Sequence, residues 1–191
     1  MSPWRPGVPA SAAGGRIGPM DENASTAWTG TCGFRMLPTD DFAQGPSTAR
    51  LTEVAGGAAL ALDYTWVHPE QGEQAGHLVL GRPDDGGRVT VAFTDSFHQS
   101  PEVRVLEGTA ARTEGGGDAG RDRGAGAAPH PIDGDGVAVT MEYSGWGWTV
   151  AVRRQGGRLA MMMQNVVPAG VEGAEPGPYD VMRAAWTPAG A

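Results

Sequence analysis

Hydrophobic and polar residues alternate in short runs along this chain, and turn residues bound nearly every run. Gly or Pro interrupts almost every stretch longer than ten residues, and no window has the apolar spacing of an amphipathic helix. Alternation with a period of two is typical of strands that bury one face. The pattern therefore predicts an all-β fold. The predicted strands are 28–36, 47–55, 58–67, 75–82, 87–96, 102–112, 136–143, 146–154, 158–167 and 179–187.

Short connections join most of these strands, which favours consecutive antiparallel hairpins. Gly56 and Gly57 form one tight turn, and Gln155, Gly156 and Gly157 form the clearest one. We expect an up-and-down antiparallel β-barrel of about ten strands, because closure removes the unpaired edges of an open sheet. A two-sheet sandwich is the alternative, but it would normally need longer crossover connections.

The large apolar residues share one parity on each strand, whereas Thr and Arg occupy the other parity. We therefore expect an apolar interior and a polar outer surface. A barrel of this size is either filled by side chains or leaves room for one small ligand. The residues predicted to point inward are Trp28, Phe34, Met36, Leu60, Leu62, Tyr64, Trp66, Val89, Val91, Phe93, Val137, Val139, Met141, Tyr143, Trp146, Trp148, Val150, Val152, Leu159, Met161 and Met163.

The length of 191 residues suits one folded domain. Residues 1–22 are predicted to be a disordered extension, with Met20 as an alternative initiator, and residues 23–191 to form the barrel. A Gly- and Asp-rich stretch, 113–135, is predicted to be a flexible insert between the sixth and seventh strands. No transmembrane run or signal peptide is evident, so we expect a soluble, cytoplasmic protein.

The charge of the chain bears on its partners. The net charge is −8 and all 14 basic residues are Arg. An acidic chain is poorly suited to nucleic acid or an anionic membrane, since both select a basic surface. The absence of Lys excludes Schiff-base and P-loop lysines. The single cysteine, Cys32, excludes an internal disulfide and is expected to pack as a small apolar side chain.

Asp95 has the inward parity of its strand, which aims a carboxylate at an apolar interior. An unpaired charge there is costly, so we expect hydrogen bonds, an Arg partner or a bound proton. One interpretation makes Asp95 a ligand-orienting or acid–base group. The favoured interpretation places it at the strand end, near the barrel rim, where it accepts backbone N–H groups before Ser96.

The histidines do not have the spacing of a preformed metal site, and the acidic insert lacks a calcium-loop pattern, so no metal is expected. His98 follows Asp95 and Ser96, but no G-x-S-x-G elbow is present, and a hydrolase triad is disfavoured. A loop histidine that binds a metal or haem iron is the minority interpretation of His98. The chain's histidines are His68, His77, His98 and His130.

Several short segments are similar to calycin-type barrels. They are Trp28-Thr29-Gly30-Thr31, Gly76-His77-Leu78-Val79-Leu80-Gly81, Phe93-Thr94-Asp95-Ser96, the later Gly108, and the closing Tyr179-Asp180-Val181-Met182-Arg183. Across residues 27–187 the chain resembles a bacterial lipocalin-like family of unknown function, and more distantly nitrobindins and fatty-acid-binding proteins. The resemblance implies a closed antiparallel barrel without an agreed activity. Nitrobindins hold haem iron through a histidine in the closing part of the chain. No histidine follows His130 here, so no cofactor is expected.

We therefore expect a non-catalytic barrel that binds a small, largely apolar molecule in its interior, with Asp95 and Asn165 as polar anchors. One alternative is a structural or interaction barrel with a filled core, acting through its surface as a homodimer. Less favoured are a haem-binding barrel and an enzyme that uses Asp95 as acid or base. The candidate ligand-binding residues are Phe34, Leu62, Tyr64, Trp66, Phe93, Asp95, Met141, Trp148, Met161, Met163 and Asn165.

Overall fold

The computed structural model describes residues 25–110, 132–134, 136–171 and 175–190. The predicted extension 1–22 and most of the predicted insert 113–135, including His130, lie outside the described residues. One short 3-10 turn, Ala55–Gly57, is the helical element in these ranges, and no helix within them is long and apolar enough to cross a membrane. The strands are β1 (Ser25–Phe34), β2 (Ala43–Val54), β3 (Ala59–His68), β4 (Gly72–Gly81), β5 (Arg88–Asp95), β6 (Arg104–Ala110), β7 (Val137–Tyr143), β8 (Trp146–Gln155), β9 (Arg158–Val167) and β10 (Gly177–Pro188).

Each strand pairs antiparallel with its neighbours in sequence, and β10 also pairs with β1. The sheet is therefore a closed barrel of ten strands, which confirms the predicted up-and-down architecture. The seam between the first and last strands aligns Trp28 with Pro188 and Phe34 with Met182. A bulge between Asp180 and Met182 shifts the register of β10 against β9.

The hairpin between β8 and β9 has the two-residue turn that the sequence indicates. Gln155 pairs with Arg158, which leaves Gly156 and Gly157 as the turn. Their φ angles are +58° and +72°. A two-residue turn that follows the twist of the strands needs positive φ at both positions, and glycine adopts such angles without strain.

The alternation of apolar residues identifies the inner face of the barrel. Leu62, Trp66, Phe93 and Met163 are fully buried, and the other predicted inward residues are buried or partly buried, with one exception. The exception is Met36, which is 51% exposed. The prediction for Met36 was wrong because β1 ends at Phe34 and the chain then turns away, so the strand alternation no longer applies.

The two ends of the barrel differ. We call the end that carries the connections after β1, β3, β5, β7 and β9 the loop end, and the opposite end the turn end. At the turn end, Ile132 is fully buried in the core. The backbone N–H of Arg154 donates to the Ile132 carbonyl, and the Arg154 guanidinium lies 2.7 Å from Asp133 Oδ1. Ile132 therefore extends the core on this side.

Candidate functional site

Aromatic and imidazole rings gather at the loop end. Trp66 stacks on His98 with a centroid distance of 5.7 Å and an interplanar angle of 23°. Phe34 lies 4.6 Å from Trp66, and Trp148 lies 5.1 Å from His98, between ring centroids. Ring pairs at these separations attract one another beyond the area that they bury. We call this set the ring cluster; its members are Phe34, Trp66, His68, Phe97, His98, Tyr143 and Trp148.

Asp95 ends β5 beneath this cluster, and its side chain has no exposed surface. Its Oδ1 accepts the backbone N–H groups of Phe97 at 3.1 Å, of Gln99 at 2.9 Å and of His98. Its Oδ2 lies 2.7 Å from Nδ1 of His98. The favoured interpretation of Asp95 as a strand-end acceptor is confirmed, although the N–H groups lie after Ser96 rather than before it.

The contact with Asp95 determines which nitrogen of His98 carries the proton. A carboxylate only accepts hydrogen bonds, so Nδ1 of His98 is the donor. In the neutral ring Nε2 then carries a lone pair and acts as an acceptor. This Nε2 is buried and has no hydrogen-bond partner among the described groups. His98 therefore presents an oriented, unused acceptor inside the ring cluster.

Two neighbours of His98 also have unused polar atoms. The indole Nε1 atoms of Trp66 and Trp148 are buried without a partner in the described part of the chain, and both rings contact His98. A buried polar group left unpaired costs about 1–3 kcal/mol, and native proteins usually satisfy such groups with protein, water or ligand atoms. Three rings of the cluster therefore carry a polar atom that the described residues leave unsatisfied.

A cavity of about 240 Å³ lies beside His98 and Trp148. Its wall also contains Tyr143, so one side is aromatic. The guanidinium of Arg104 forms an ion pair with Glu102 and its Nε donates to Gln99 Oε1 at 3.3 Å. The cavity is lined by Met36, His98, Gln99, Arg104, Tyr143, Trp148 and Asn165.

Asn165 joins two tyrosines at the rim of this cavity. Its Oδ1 accepts from the Tyr143 hydroxyl at 2.6 Å, and its Nδ2 donates to the Tyr179 hydroxyl at 3.0 Å. The Tyr179 hydroxyl donates in turn to the Met36 carbonyl at 3.0 Å. Burial raises the pKa of Tyr143, with a further contribution from Tyr179 and an opposing one from the Asn165 bond. Asn165 thus lies on the cavity wall and is linked to the Met36 carbonyl through the Tyr179 hydroxyl.

Tyr64 occupies an inward row that crosses five strands. Register aligns Trp28 with Ala49, Ala49 with Tyr64, Tyr64 with Gly76, and Gly76 with Asp95. The small residues on either side leave room for the phenol ring, which covers Gly76 so closely that a Cβ there would overlap it. Burial raises the pKa of Tyr64 well above its ordinary value, and the charges of Asp95 and Cys32 add to this. Tyr64 therefore stays neutral beside Asp95.

The remaining candidates lie deeper or serve the core. Leu62, Phe93 and Met163 are fully buried in one continuous core, Met161 is almost so, and Met141 packs against it from a partly buried position. None of these five lines the cavity beside His98. The structure thus brings Trp148 and Asn165 to the cavity wall, and places Phe34, Trp66 and Asp95 directly behind His98.

The predicted third strand ends at residue 67, but β3 extends to His68, which is buried in the ring cluster. Its Nδ1 accepts the backbone N–H groups of Glu70 at 3.1 Å and Gln71 at 3.2 Å. Its Nε2 therefore carries the proton of the neutral ring, the opposite arrangement to His98. Sequence reasoning missed this role because the local β3–β4 turn, rather than the strand pattern, sets the ring direction.

The disfavoured hydrolase triad does not assemble. The hydroxyl of Ser96 donates to Gln74 Oε1 at 2.7 Å and accepts the Ala75 N–H at 3.0 Å, away from His98. His77 lies on the outer face, where it pairs with the exposed Asp63 at 2.7 Å. Among the side chains that the structure describes, no group of three or more His, Cys, Asp or Glu residues could hold a metal ion.

Cys32 is expected to resist thiol reagents while the barrel is folded. Its side chain is 1% exposed, and burial raises the pKa of the thiol to about 12. The nucleophile is the thiolate, so both access and ionisation oppose reaction at pH 8. We expect a disulfide-exchange reagent to react at least about 100-fold more slowly with the native protein than with urea-unfolded protein. A native rate within about tenfold of the unfolded rate would contradict this burial.

The described residues thus define a closed ten-stranded antiparallel β-barrel whose loop end holds a ring cluster and a small cavity. No model of a known protein family matches the chain, and no curated protein is significantly similar to it in sequence.

Proposed function

We propose that this protein is a lipocalin-like, non-catalytic barrel that binds a small, mainly apolar molecule at its loop end. The observation that carries the proposal is the buried, unpartnered Nε2 of His98, next to aromatic rings and a cavity of about 240 Å³. Small-molecule sites in proteins combine apolar walls with a few oriented polar groups. His98 supplies the oriented group, and Trp148 and Tyr143 supply the wall.

The packing of the barrel supports the loop end rather than the centre as the binding position. Leu62, Phe93 and Met163 fill the middle without exposed surface, and Ile132 extends this core at the turn end. The carboxylate of Asp95 is occupied by three backbone N–H groups and by His98. Because both of its oxygens are engaged, Asp95 positions His98 instead of contacting the bound molecule.

Indole N–H signals in ¹H–¹⁵N correlation spectra offer a direct binding test. We expect 2-naphthol to shift the signals of Trp66 and Trp148, because both indole rings contact His98 and their Nε1 atoms have no partner among the described residues. The Trp186 signal serves as the internal reference, since its Nε1 donates to Ser47 Oγ at 2.7 Å in the barrel core. A titration in which no indole signal moves would favour a purely structural barrel.

Substitutions of His98 and His77, each of which pairs with an aspartate, distinguish binding at this site from binding at the outer surface. His98→Gln is expected to weaken 2-naphthol binding about tenfold, because the oriented acceptor is lost. His77→Gln is the matched control, since His77 also pairs with an aspartate through Nδ1 at 2.7 Å but is 42% exposed on the outer face. Equal affinities in the two variants, measured by calorimetry, would place the binding elsewhere.

A further inference from the structure

We infer that this site selects neutral aromatic molecules that carry a hydroxyl group, of the phenol or aromatic-alcohol class, and discriminates against carboxylates. The inference rests on the proposed function and adds the chemistry of the anchoring group. Three features support it: the Asp95–His98 pair, the unpartnered indole N–H of Trp148 and the charges around the cavity.

His98 supplies the acceptor of the site. In its neutral ring, Nδ1 donates a hydrogen bond to Asp95 Oδ2, which leaves the buried Nε2 with a lone pair. A bound group must therefore donate a hydrogen bond to Nε2. A carboxylate cannot donate, and it would also place a second negative charge near the fully buried Asp95 side chain.

Trp148 supplies a donor on the same cavity wall. Its ring lies 5.1 Å from the His98 ring between centroids, and its indole N–H has no partner among the described residues. An indole N–H only donates, so a guest group that also accepts can satisfy it. A hydroxyl both donates and accepts, whereas an ammonium group only donates and would leave the indole unsatisfied.

The charges and the size of the cavity favour a neutral aromatic guest. Arg104 is the cation of its wall, and it is paired with Glu102 and bonded to Gln99. Its charge is compensated, so it does not favour an anion at the Nε2 position. The aromatic side formed by Tyr143 and Trp148, with a volume of about 240 Å³, suits a molecule of one or two rings.

The test compares three probes that share one ring system: 2-naphthol, 2-naphthoate and naphthalene. Calorimetry of the wild-type protein at pH 7 is expected to give 2-naphthol an affinity at least about tenfold higher than either of the others, since only the hydroxyl satisfies His98. Equal or tighter binding of 2-naphthoate would overturn the inference while the proposed function remained. Equal affinity for naphthalene would also overturn the inference, because the hydroxyl group would then contribute nothing to binding. Failure of all three probes to bind would overturn the proposed function itself.

Asp95→Asn reverses the hydrogen-bonding role of His98. The Asn oxygen can still accept the backbone N–H groups of Phe97 and Gln99, while its amide N–H₂ faces Nδ1 and places the proton on Nε2. The preference for 2-naphthol over 2-naphthoate is expected to fall at least about tenfold. Asp63→Asn, in the exposed pair with His77, is expected to leave the preference unchanged. An unchanged preference in Asp95→Asn would overturn the inference.

Long-range ¹H–¹⁵N spectra of the wild-type imidazoles give a readout that needs no variant. We expect the neutral His98 ring to show a protonated Nδ1 and an unprotonated Nε2, because Asp95 accepts from Nδ1. His68 is expected to show the opposite pattern, since its Nδ1 accepts two backbone N–H groups. A protonated Nε2 in neutral His98 would overturn the inference whatever the affinities.

Discussion

Gly76→Ala is expected to lower the free energy of unfolding by about 2 kcal/mol or more, the upper part of the range for an overfilled core. Gly76 faces Tyr64 across β3 and β4, and a Cβ at this position would overlap the Tyr64 ring and hydroxyl. The phenol is 2% exposed and cannot move outward without opening the interior. Urea unfolding followed by tryptophan fluorescence measures the loss.

Two further variants identify the cause of that loss. Gly86→Ala, in the exposed turn after β4, is expected to change stability by less than about 0.5 kcal/mol. A Cβ at this position would meet one side-chain oxygen, that of Asp84 at 3.3 Å, rather than a buried ring. Tyr64→Leu removes the overlapping atoms, so Gly76→Ala should cost clearly less in that background. The same cost in both backgrounds would show that the ring of Tyr64 is not responsible.

Asp95→Ala is expected to destabilise the barrel by about 3 kcal/mol or more, because it leaves several buried donors without an acceptor. The carboxylate accepts from the backbone of Phe97, His98 and Gln99 and from the His98 ring. The loop after β5 should therefore loosen, and His98 should lose its orientation. Urea unfolding gives the energy, and amide hydrogen exchange of residues 97–99 locates it.

Asp63→Ala provides the comparison for Asp95→Ala, since Asp63 also accepts from a histidine Nδ1 at 2.7 Å but is 57% exposed. Exposed pairs contribute little, so we expect a change below about 1 kcal/mol. The loss of stability in Asp95→Asn should lie between these two values, because the amide oxygen of the Asn still accepts backbone N–H groups. If Asp95→Ala and Asp63→Ala lowered the free energy of unfolding equally, the burial of the Asp95–His98 pair would not contribute to stability.

The strand pattern was enough to predict the barrel because its signal is local and repeated. Inward positions such as Leu62, Trp66 and Phe93 follow the alternation of their own strands, and closure follows from the need to pair the edge strands. The pattern stopped being informative where a strand stopped. Met36 lies two residues beyond the end of β1, and its exposure depends on a turn that alternation does not describe.

The candidate site was predictable in part for the same reason. Asp95 and Trp148 are strand residues, and parity placed both inside. His68 and His98 end in one ring cluster although 30 positions separate them, and the turn after β3 and the loop after β5 orient their rings. Such orientation depends on hydrogen bonds that form only in the folded chain. The spacing of the histidines in the sequence therefore does not indicate that His68 and His98 lie in one cluster.

The seam between β1 and β10 has a consequence for synthesis of the chain. Trp28 can pair with Pro188, and Phe34 can pair with Met182, only after nearly all of the described residues have been synthesised. Until then the first strand has an unpaired edge on a growing sheet, which is a template for association with other chains. Contacts so distant in sequence also slow folding. A ribosome-bound fragment that ends before β10 should consequently depend on chaperones far more than the finished polypeptide does.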